Sequence, residues 1–447
     1  MEFIYVIAIS IFTISLSFFL FRRAAGSLNL LQPNMISYIF YYNLILQTFI
    51  STILVVLKAD GDHYVISRVS DEARLYGWLA VNYMMIAMPI GMLISKMAFS
   101  KKTTIKKRLI DYSISDINIG YIGHRPLKFS IWIFTFISII ACIYVFYTIG
   151  YFPFFKILDV SSLVASELRT VAGREFSGNV YIKNFFALLM MPVLSYMWIF
   201  YYFKTKNILD LTVFLICFIA SLSILYYDFS KAPVLSYILS FVFVYFYGKG
   251  KVNRIMATSA IIIVLISIFI LYSFMGLSSN DFLSYNSGPV GRVILGQSAG
   301  LYMMFDIFPH DYTFIGLGSL SELLSNMFDV KYIDRAARTT MMVFDPVGIQ
   351  NGTAGVMNTL YIGEAWANFG FLGLILSPIW VGFIIQSLYI FFLRSPKSPV
   401  HLAFFVSFST DGAITGGFNE YIYNPGVILV IVFLLSVFSL AKILRKI

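Results

Sequence analysis

The sequence predicts an all-α polytopic integral membrane protein with about eleven transmembrane helices. Hydrophobic residues fill 59% of its 447 positions and charged residues only 12%, whereas a soluble chain carries roughly 25% charged residues. A surface this poor in charge suits contact with lipid. Apolar runs close to the ~20 residues that cross a bilayer lie at 3–21, 36–57, 76–95, 129–149, 182–203, 210–227, 233–248, 255–275, 371–393, 400–417 and 424–441.

These runs are predicted to form one membrane domain over residues 1–447. The sequence contains no internal repeat of the transporter kind and no stretch that resembles a soluble domain. The run 3–21 has no basic region before it and no clear cleavage site after it, so we interpret it as the first span. The segment 353–370 is apolar but interrupted by polar residues, which predicts a short or re-entrant helix leading into the ninth span.

Lysine and arginine are concentrated in every second loop, and this pattern predicts the orientation of the chain. Of its 32 basic residues, 20 lie in the loops after the odd-numbered spans or at the C-terminus. The N-terminus is therefore predicted outside and the C-terminus in the cytoplasm. The net charge of +10 is then an orientation signal, and we expect no nucleic acid as a partner.

Two segments on the predicted outer side are long, namely 150–181 and 276–355. Long ordered loops usually carry function. A channel or a simple carrier has little use for such an asymmetry between the two faces. The loops therefore favour an enzyme that works on the outer side of the membrane.

The outer segments supply candidate cations for binding a phosphate group, which arginine can hold in a bidentate manner at every relevant pH. Two of the arginines, Arg335 and Arg338, share a face if their segment is helical. Each candidate also has an ordinary structural explanation, either contact with lipid headgroups or a salt bridge to a neighbouring aspartate. The candidates are Arg169, Arg174, Lys231, Arg292, Arg335 and Arg338.

Two residues are candidates for a general base. Glu364 shares a predicted helical face with Tyr361 and Asn368, and it is an isolated carboxylate at membrane depth, where such a group indicates function. It can be a general base or a structural partner of Arg335 or Arg338, and both readings stay open. His310 lies beside Asp311, although its other neighbours indicate an exposed turn.

The sequence predicts neither a metal site nor a cofactor. Its four histidines and two cysteines follow no metal-binding spacing. The two long outer segments, 150–181 and 276–355, also lack the paired aspartates of a DxD motif.

Two stretches resemble the bacterial O-antigen and capsule repeat-unit polymerases (Wzy type). The first is Thr-Ala-x6-Tyr-Ile-Gly-Glu-Ala-Trp-x-Asn-Phe-Gly-x-Leu-Gly at 353–373, and the second contains the Gly-Leu-Gly-Ser turn at 316–319. The resemblance covers nearly the whole chain in its pattern of spans and loops. In sequence it is limited to 291–318 and 353–373.

The resemblance implies a fold like that of the C-type membrane glycosyltransferases, in the bacterial inner membrane with the long loops in the periplasm. Such enzymes join oligosaccharide repeat units carried on undecaprenyl diphosphate, without a metal or a nucleotide sugar. The expected partners are these lipid-linked oligosaccharides, membrane lipids and a chain-length regulator protein. The basic candidates and Tyr361 would bind the substrate, and Glu364 or His310 would take the acceptor proton.

Two other functions remain as alternatives. An O-antigen ligase shares this architecture and is expected to use a histidine and arginine of the outer loops, so His310 keeps that reading open. A flippase for the same lipid-linked unit would carry charge inside its spans and have short loops on both sides. The long outer loops and charge-poor spans of this chain disfavour the flippase.

Overall fold

The computed structural model describes residues 3–99, 104–156, 162–173, 175–250, 252–255, 258–259, 262, 266, 284–351, 354–410 and 414–446. Within these ranges the regular structure is helical and contains no strand. Fourteen of the helices are numbered here in chain order. They are α1 Phe3–Ala25, α2 Met35–Val56, α3 Asp71–Phe99, α4 Ile105–Ile114, α5 His124–Ile149, α6 Ser162–Gly173, α7 Ile182–Thr205, α8 Ile208–Leu225, α9 Lys231–Lys249, α10 Ala299–Ile307, α11 Ala336–Phe344, α12 Leu360–Arg394, α13 Pro399–Thr410 and α14 Pro425–Leu444.

Nine helices of the described part are long and apolar enough to cross a bilayer, which makes the chain a multi-pass membrane protein. They are α1, α2, α3, α5, α7, α8, α9, α12 and the segment Phe418–Leu444 that contains α14. The predicted span at 255–275 lies mostly outside the described residues. The predicted span at 400–417 contains the shorter apolar helix α13, and residues 411–413 after it also lie outside the described part.

Helices α3 and α12 form the most extensive helix pair of the bundle. Gly91 of α3 lies directly against the backbone of Ile379, and Gly382 of α12 lies against the backbone of Met88. Small residues allow two membrane helices to approach closely. Tyr83 also donates a hydrogen bond to the Ile375 carbonyl at 2.9 Å across this contact. The α3–α12 pair is therefore closely packed along its contact.

Helix α12 is broken at Gly370, whose φ of +58° and ψ of −138° are not helical. Glycine adopts such a positive φ without the steric penalty of a side chain. The break separates a short first part, residues 360–369, from the long part that packs on α3. The short part carries Glu364 and Asn368, both buried.

The long connections between helices lie at one end of the bundle, which we call the loop end. Hydrogen bonds join these connections to one another. Asn286 donates to the Gly61 carbonyl at 2.5 Å, the Ser70 amide donates to Asp306 at 2.9 Å, and Arg68 donates to the Phe344 carbonyl at 3.2 Å. The segments around residues 60–70, 284–306 and 344 are thus packed together into one layer.

The opposite end carries most of the basic loop residues, and we call it the basic end. Lys397 is buried and donates to the carbonyls of Ser113 at 2.9 Å and Ser115 at 2.6 Å. Burial lowers the pKa of its ammonium group to about 8, with Asp116 acting in the opposite direction. These bonds fix the amphipathic helix α4 against the end of the bundle.

The close contact between α3 and α12 predicts a specific sensitivity to added volume. Gly91→Ala and Gly382→Ala should each lower the free energy of unfolding by about 1–3 kcal/mol, because a methyl group would overlap the backbone of the facing helix. The measurement is the temperature at which half of the purified protein loses its monodisperse size-exclusion peak. Gly120→Ala is the control, since the nearest atom to its new methyl group lies 3.7 Å away. Equal midpoints for all three variants would contradict the packing.

Candidate active site

A partly buried ion cluster lies at the loop end and consists of Arg335, Glu364 and Glu420. The guanidinium of Arg335 donates from Nε to Glu364 Oε1 at 2.9 Å and from Nη2 to Glu364 Oε2 at 3.2 Å. This is the parallel two-bond geometry that arginine forms with carboxylates. Arg335 also donates from Nη1 to Glu420 Oε1 at 3.4 Å. One cation therefore holds two carboxylates from different parts of the chain.

The three residues come from three separate elements. Arg335 is the residue before α11 and has an extended backbone, with φ −56° and ψ 145°. Glu364 lies in the short first part of α12, and Glu420 lies in the 3₁₀ turn Phe418–Tyr421 before α14. A side chain at Gly417 would collide with the Arg335 guanidinium and the Glu364 carboxylate. A glycine at this position is therefore required by the close approach of the 414–424 connection to the ion pair.

An amide network beside the ion cluster joins two of these elements, α12 and the last connection, to a further turn. The backbone amide of Asn419 donates to Glu364 Oε2 at 2.9 Å. The Asn419 side chain donates to the Ser319 carbonyl at 2.8 Å, and Asn368 Nδ2 donates to Asn419 Oδ1 at 2.9 Å. Ser319 ends the Gly-Leu-Gly-Ser turn singled out in the sequence. The turn, α12 and the last connection are thus joined by bonds among buried polar groups.

The two carboxylates of the cluster have different surroundings. The Glu364 side chain is fully buried, whereas about a third of the Glu420 and Arg335 side chains is exposed, at 33% and 35%. Burial alone would lower the pKa of Arg335, but its hydrogen bonds and charge attraction to Glu364 and Glu420 outweigh this and raise the pKa. Arg335 therefore stays charged. The cluster has one positive and two negative charges, and the exposed negative edge belongs to Glu420.

An apolar cleft of about 340 Å³ begins at Glu420 and continues between the spans. Its walls are aliphatic and aromatic side chains from α2, α12, α13 and α14, among them Ile39, Ile385, Phe408 and Val427. Glu420 is the one acidic residue in this lining. The cleft therefore places a carboxylate next to a surface that suits a hydrocarbon chain.

Arg338 and Tyr361, two further substrate-binding candidates from the sequence, contact other parts of the chain. Arg338 Nη1 donates to the carbonyls of Gly355 at 3.1 Å and Ala354 at 3.4 Å. Arg335 and Arg338 therefore contact different groups, namely carboxylates and backbone carbonyls. The Tyr361 ring is buried and lies 5.9 Å from the Tyr421 ring in an edge-on contact. It packs beneath the turn that carries Glu420.

A second set of basic side chains surrounds the turn between α8 and α9, and we call it the cationic group. Lys183 donates to the Gly173 carbonyl at 3.0 Å, which holds the end of α6. Arg169 of α6 is exposed and acts electrostatically on Tyr227 in that turn. Lys231 begins α9 and interacts with the like charge of exposed Arg292. The group consists of Arg169, Lys183, Lys231 and Arg292. Arg174 lies outside the described residues.

His310 is exposed in the turn that follows α10. Its neighbour Phe308 is buried, and the Phe308 carbonyl accepts a hydrogen bond from Trp366 at 3.0 Å. This bond fixes the base of the turn and leaves the His310 ring at the surface. Among the described residues, no three histidine, cysteine or acidic side chains are close enough together to hold a metal ion.

The bidentate pair predicts a measurable coupling between Arg335 and Glu364. Single changes Arg335→Gln and Glu364→Gln should each destabilise the protein, because each leaves a charge at the site without its partner. In a double-mutant cycle we expect a coupling of about 1–2 kcal/mol, since part of Arg335 is open to solvent. The control is the pair Lys58–Asp71, which is exposed on both sides and should show a much smaller coupling. Equal coupling in both pairs would show that burial contributes nothing.

Compared with models of known protein families, with curated proteins and with solved structures, the chain matches none. The geometry of the site and the resemblance in its two sequence stretches therefore carry the functional argument.

Proposed function

We propose that the chain is a bacterial O-antigen or capsule polysaccharide polymerase, which joins oligosaccharide repeat units carried on undecaprenyl diphosphate. In this proposal the loop end faces the periplasm and the basic end faces the cytoplasm of the inner membrane, as the distribution of lysine and arginine favours. The observation that carries the proposal is the position of Glu420. It belongs to the ion cluster and also borders the apolar cleft between the spans.

This combination fits a substrate with a sugar at one end and a polyprenyl chain at the other. The cleft offers a hydrocarbon surface below the carboxylate. Ligand sites in proteins commonly combine such an apolar wall with a few fixed polar groups. A simple ion channel would need neither the buried glutamate nor the polar bonds that fix the loop end.

The reaction would transfer a glycosyl group from one oxygen to another. A sugar hydroxyl of the incoming unit attacks the anomeric carbon of the growing chain, and the bond from that carbon to the diphosphate oxygen breaks. Undecaprenyl diphosphate leaves with the bonding electrons. The hydroxyl proton passes to a carboxylate base. Glu420 fits this role better than Glu364, because Glu364 is fully buried and both of its oxygens accept bonds from Arg335.

The leaving diphosphate gains charge as the bond breaks, and fixed cations stabilise such charge. Arg335 is engaged by two carboxylates, so it serves mainly to hold Glu364 and Glu420 in place. We assign diphosphate binding to Lys231 and Arg292, because these two cations act on each other electrostatically and a bound anion would offset their repulsion.

The proposal is tested by the glycans of a bacterial strain that lacks this protein, compared with the complemented strain. A polymerase predicts single repeat units on the final lipid and loss of the ladder of longer chains. A full ladder left on the carrier lipid would mean a ligase and direct attention to His310. Single units trapped on the carrier at the cytoplasmic face would mean a flippase. Either of the last two results would overturn the proposal.

The assignment of the base predicts that Glu420→Gln abolishes chain growth and leaves the protein folded. The amide keeps the shape and the hydrogen-bonding capacity towards Arg335 but cannot take a proton at neutral pH. General bases contribute about 10²–10⁴-fold to rates, so the initial rate of polymer formation should fall by at least about 100-fold. Glu322→Gln, a change of an exposed glutamate of the loop end, is the matched control. A Glu420→Gln enzyme with the wild-type rate would rule out this base.

The assignment of the diphosphate site predicts that Lys231→Ala and Arg292→Ala weaken substrate binding. Charge-assisted hydrogen bonds contribute about 1.5–3 kcal/mol each, so each change should raise the substrate concentration for half-maximal rate by about tenfold or more. Lys331→Ala removes an exposed charge from the same end of the molecule and should leave this concentration unchanged. If Lys331→Ala has an equal effect, Lys231 and Arg292 act only through the net charge of the surface, and the assignment is wrong.

A further inference from the structure

A second pocket, of about 450 Å³, lies at the basic end between the beginning of α5 and the end of α14. It is remote in sequence from the ion cluster and takes no part in the proposed reaction. Its polar walls are His124, Arg125 and Lys128, and its apolar walls include Phe129 and Trp132. We propose that this pocket binds the phosphate headgroup of an anionic phospholipid, with the acyl chains lying along α5.

The charges of the pocket suit a phosphate. Lys128 lies 2.6 Å from Asp210, whose side chain is fully buried, so these two charges balance each other. Arg125 is exposed and forms no ion pair with a described residue. Arg445, likewise exposed and without a described ion-pair partner, follows the pocket residue Leu444, and its side chain reaches the turn at Gly123. Two guanidinium groups therefore remain to neutralise an anion.

A buried nitrogen of the pocket also lacks a partner. Nδ1 of His124 is shielded from solvent and forms no hydrogen bond with the described part of the chain. Buried polar atoms in proteins are nearly always hydrogen-bonded. A phosphate bound between Arg125 and Arg445 would bring oxygen acceptors to this wall of the pocket.

The surface below the pocket indicates that the phosphate belongs to a lipid. Helix α5 exposes a row of large apolar side chains that continues away from Phe129, including Phe136 and Ile143 with 66% and 62% of their surfaces exposed. These positions share one face of the helix. Basic pockets between membrane helices on the cytoplasmic side suit anionic headgroups. A soluble phosphate compound would make no use of the apolar row.

The test is native mass spectrometry of the full-length protein in detergent micelles that contain phosphatidylglycerol or phosphatidylcholine. We expect phosphatidylglycerol to be retained preferentially. The double change Arg125→Gln and Arg445→Gln should weaken its binding by about tenfold or more, as two basic groups near an anionic lipid suggest. The change of both residues to Lys keeps the charge and should restore most of the binding. This variant distinguishes loss of charge from misfolding as the cause of weaker binding.

The matched control is Arg22→Gln with Arg23→Gln, which removes the same charge from the basic end of α1 outside the pocket. It should change the binding by less than about twofold. Three results would overturn the proposal. They are an equal loss of binding in the control, no preference for phosphatidylglycerol, and displacement of the bound lipid by excess inorganic phosphate, which would mean a soluble ligand.

Discussion

The loop end of this protein depends on one buried ion pair, between Arg335 and Glu364. A carboxylate without any exposed surface is strongly unfavourable unless a cation and hydrogen bonds compensate it. Glu364 obtains two bonds from Arg335 and one from the Asn419 amide. Satisfying this one charge therefore requires that α12, the residue before α11 and the connection after α13 meet at the same point. The bond from Asn419 to Ser319 then adds the Gly-Leu-Gly-Ser turn.

The ion pair between Arg335 and Glu364 also makes the two carboxylates of the candidate site unequal. Because Glu364 takes the bidentate face of Arg335, Glu420 is left with longer bonds and an open edge. That edge faces the cleft between the spans. In the proposed reaction Glu364 would support the charged cluster and Glu420 would be the reactive carboxylate, and one arginine holds both glutamates. The cationic group lies on other elements, so in the proposed reaction the diphosphate and the base would be positioned independently.

Much of the membrane architecture could be predicted from the sequence, because hydrophobic runs of bilayer length have few alternative structures in lipid. Glu364 was also recognisable, since it is the one acidic residue in a long apolar stretch. The sequence limited its structural partner to Arg335 or Arg338, and the structure shows Arg335; the choice between the two depends on contacts between segments 29 residues apart. Gly417 and Lys183 were missed for the same reason. Gly417 leaves room for an ion pair between residues distant in sequence, and Lys183 binds a carbonyl at the end of another helix. Neither role has a local signal in the sequence.

The central claim is that the loop end forms glycosidic bonds with release of undecaprenyl diphosphate. It is tested most directly with the purified full-length protein in phospholipid vesicles, supplied with lipid-linked repeat units extracted from a strain that lacks the protein. The account predicts a ladder of longer lipid-linked chains, with one undecaprenyl diphosphate released for each bond formed. It also predicts that the Glu420→Gln protein forms neither product. Repeat units that cross the bilayer and remain single would contradict the account.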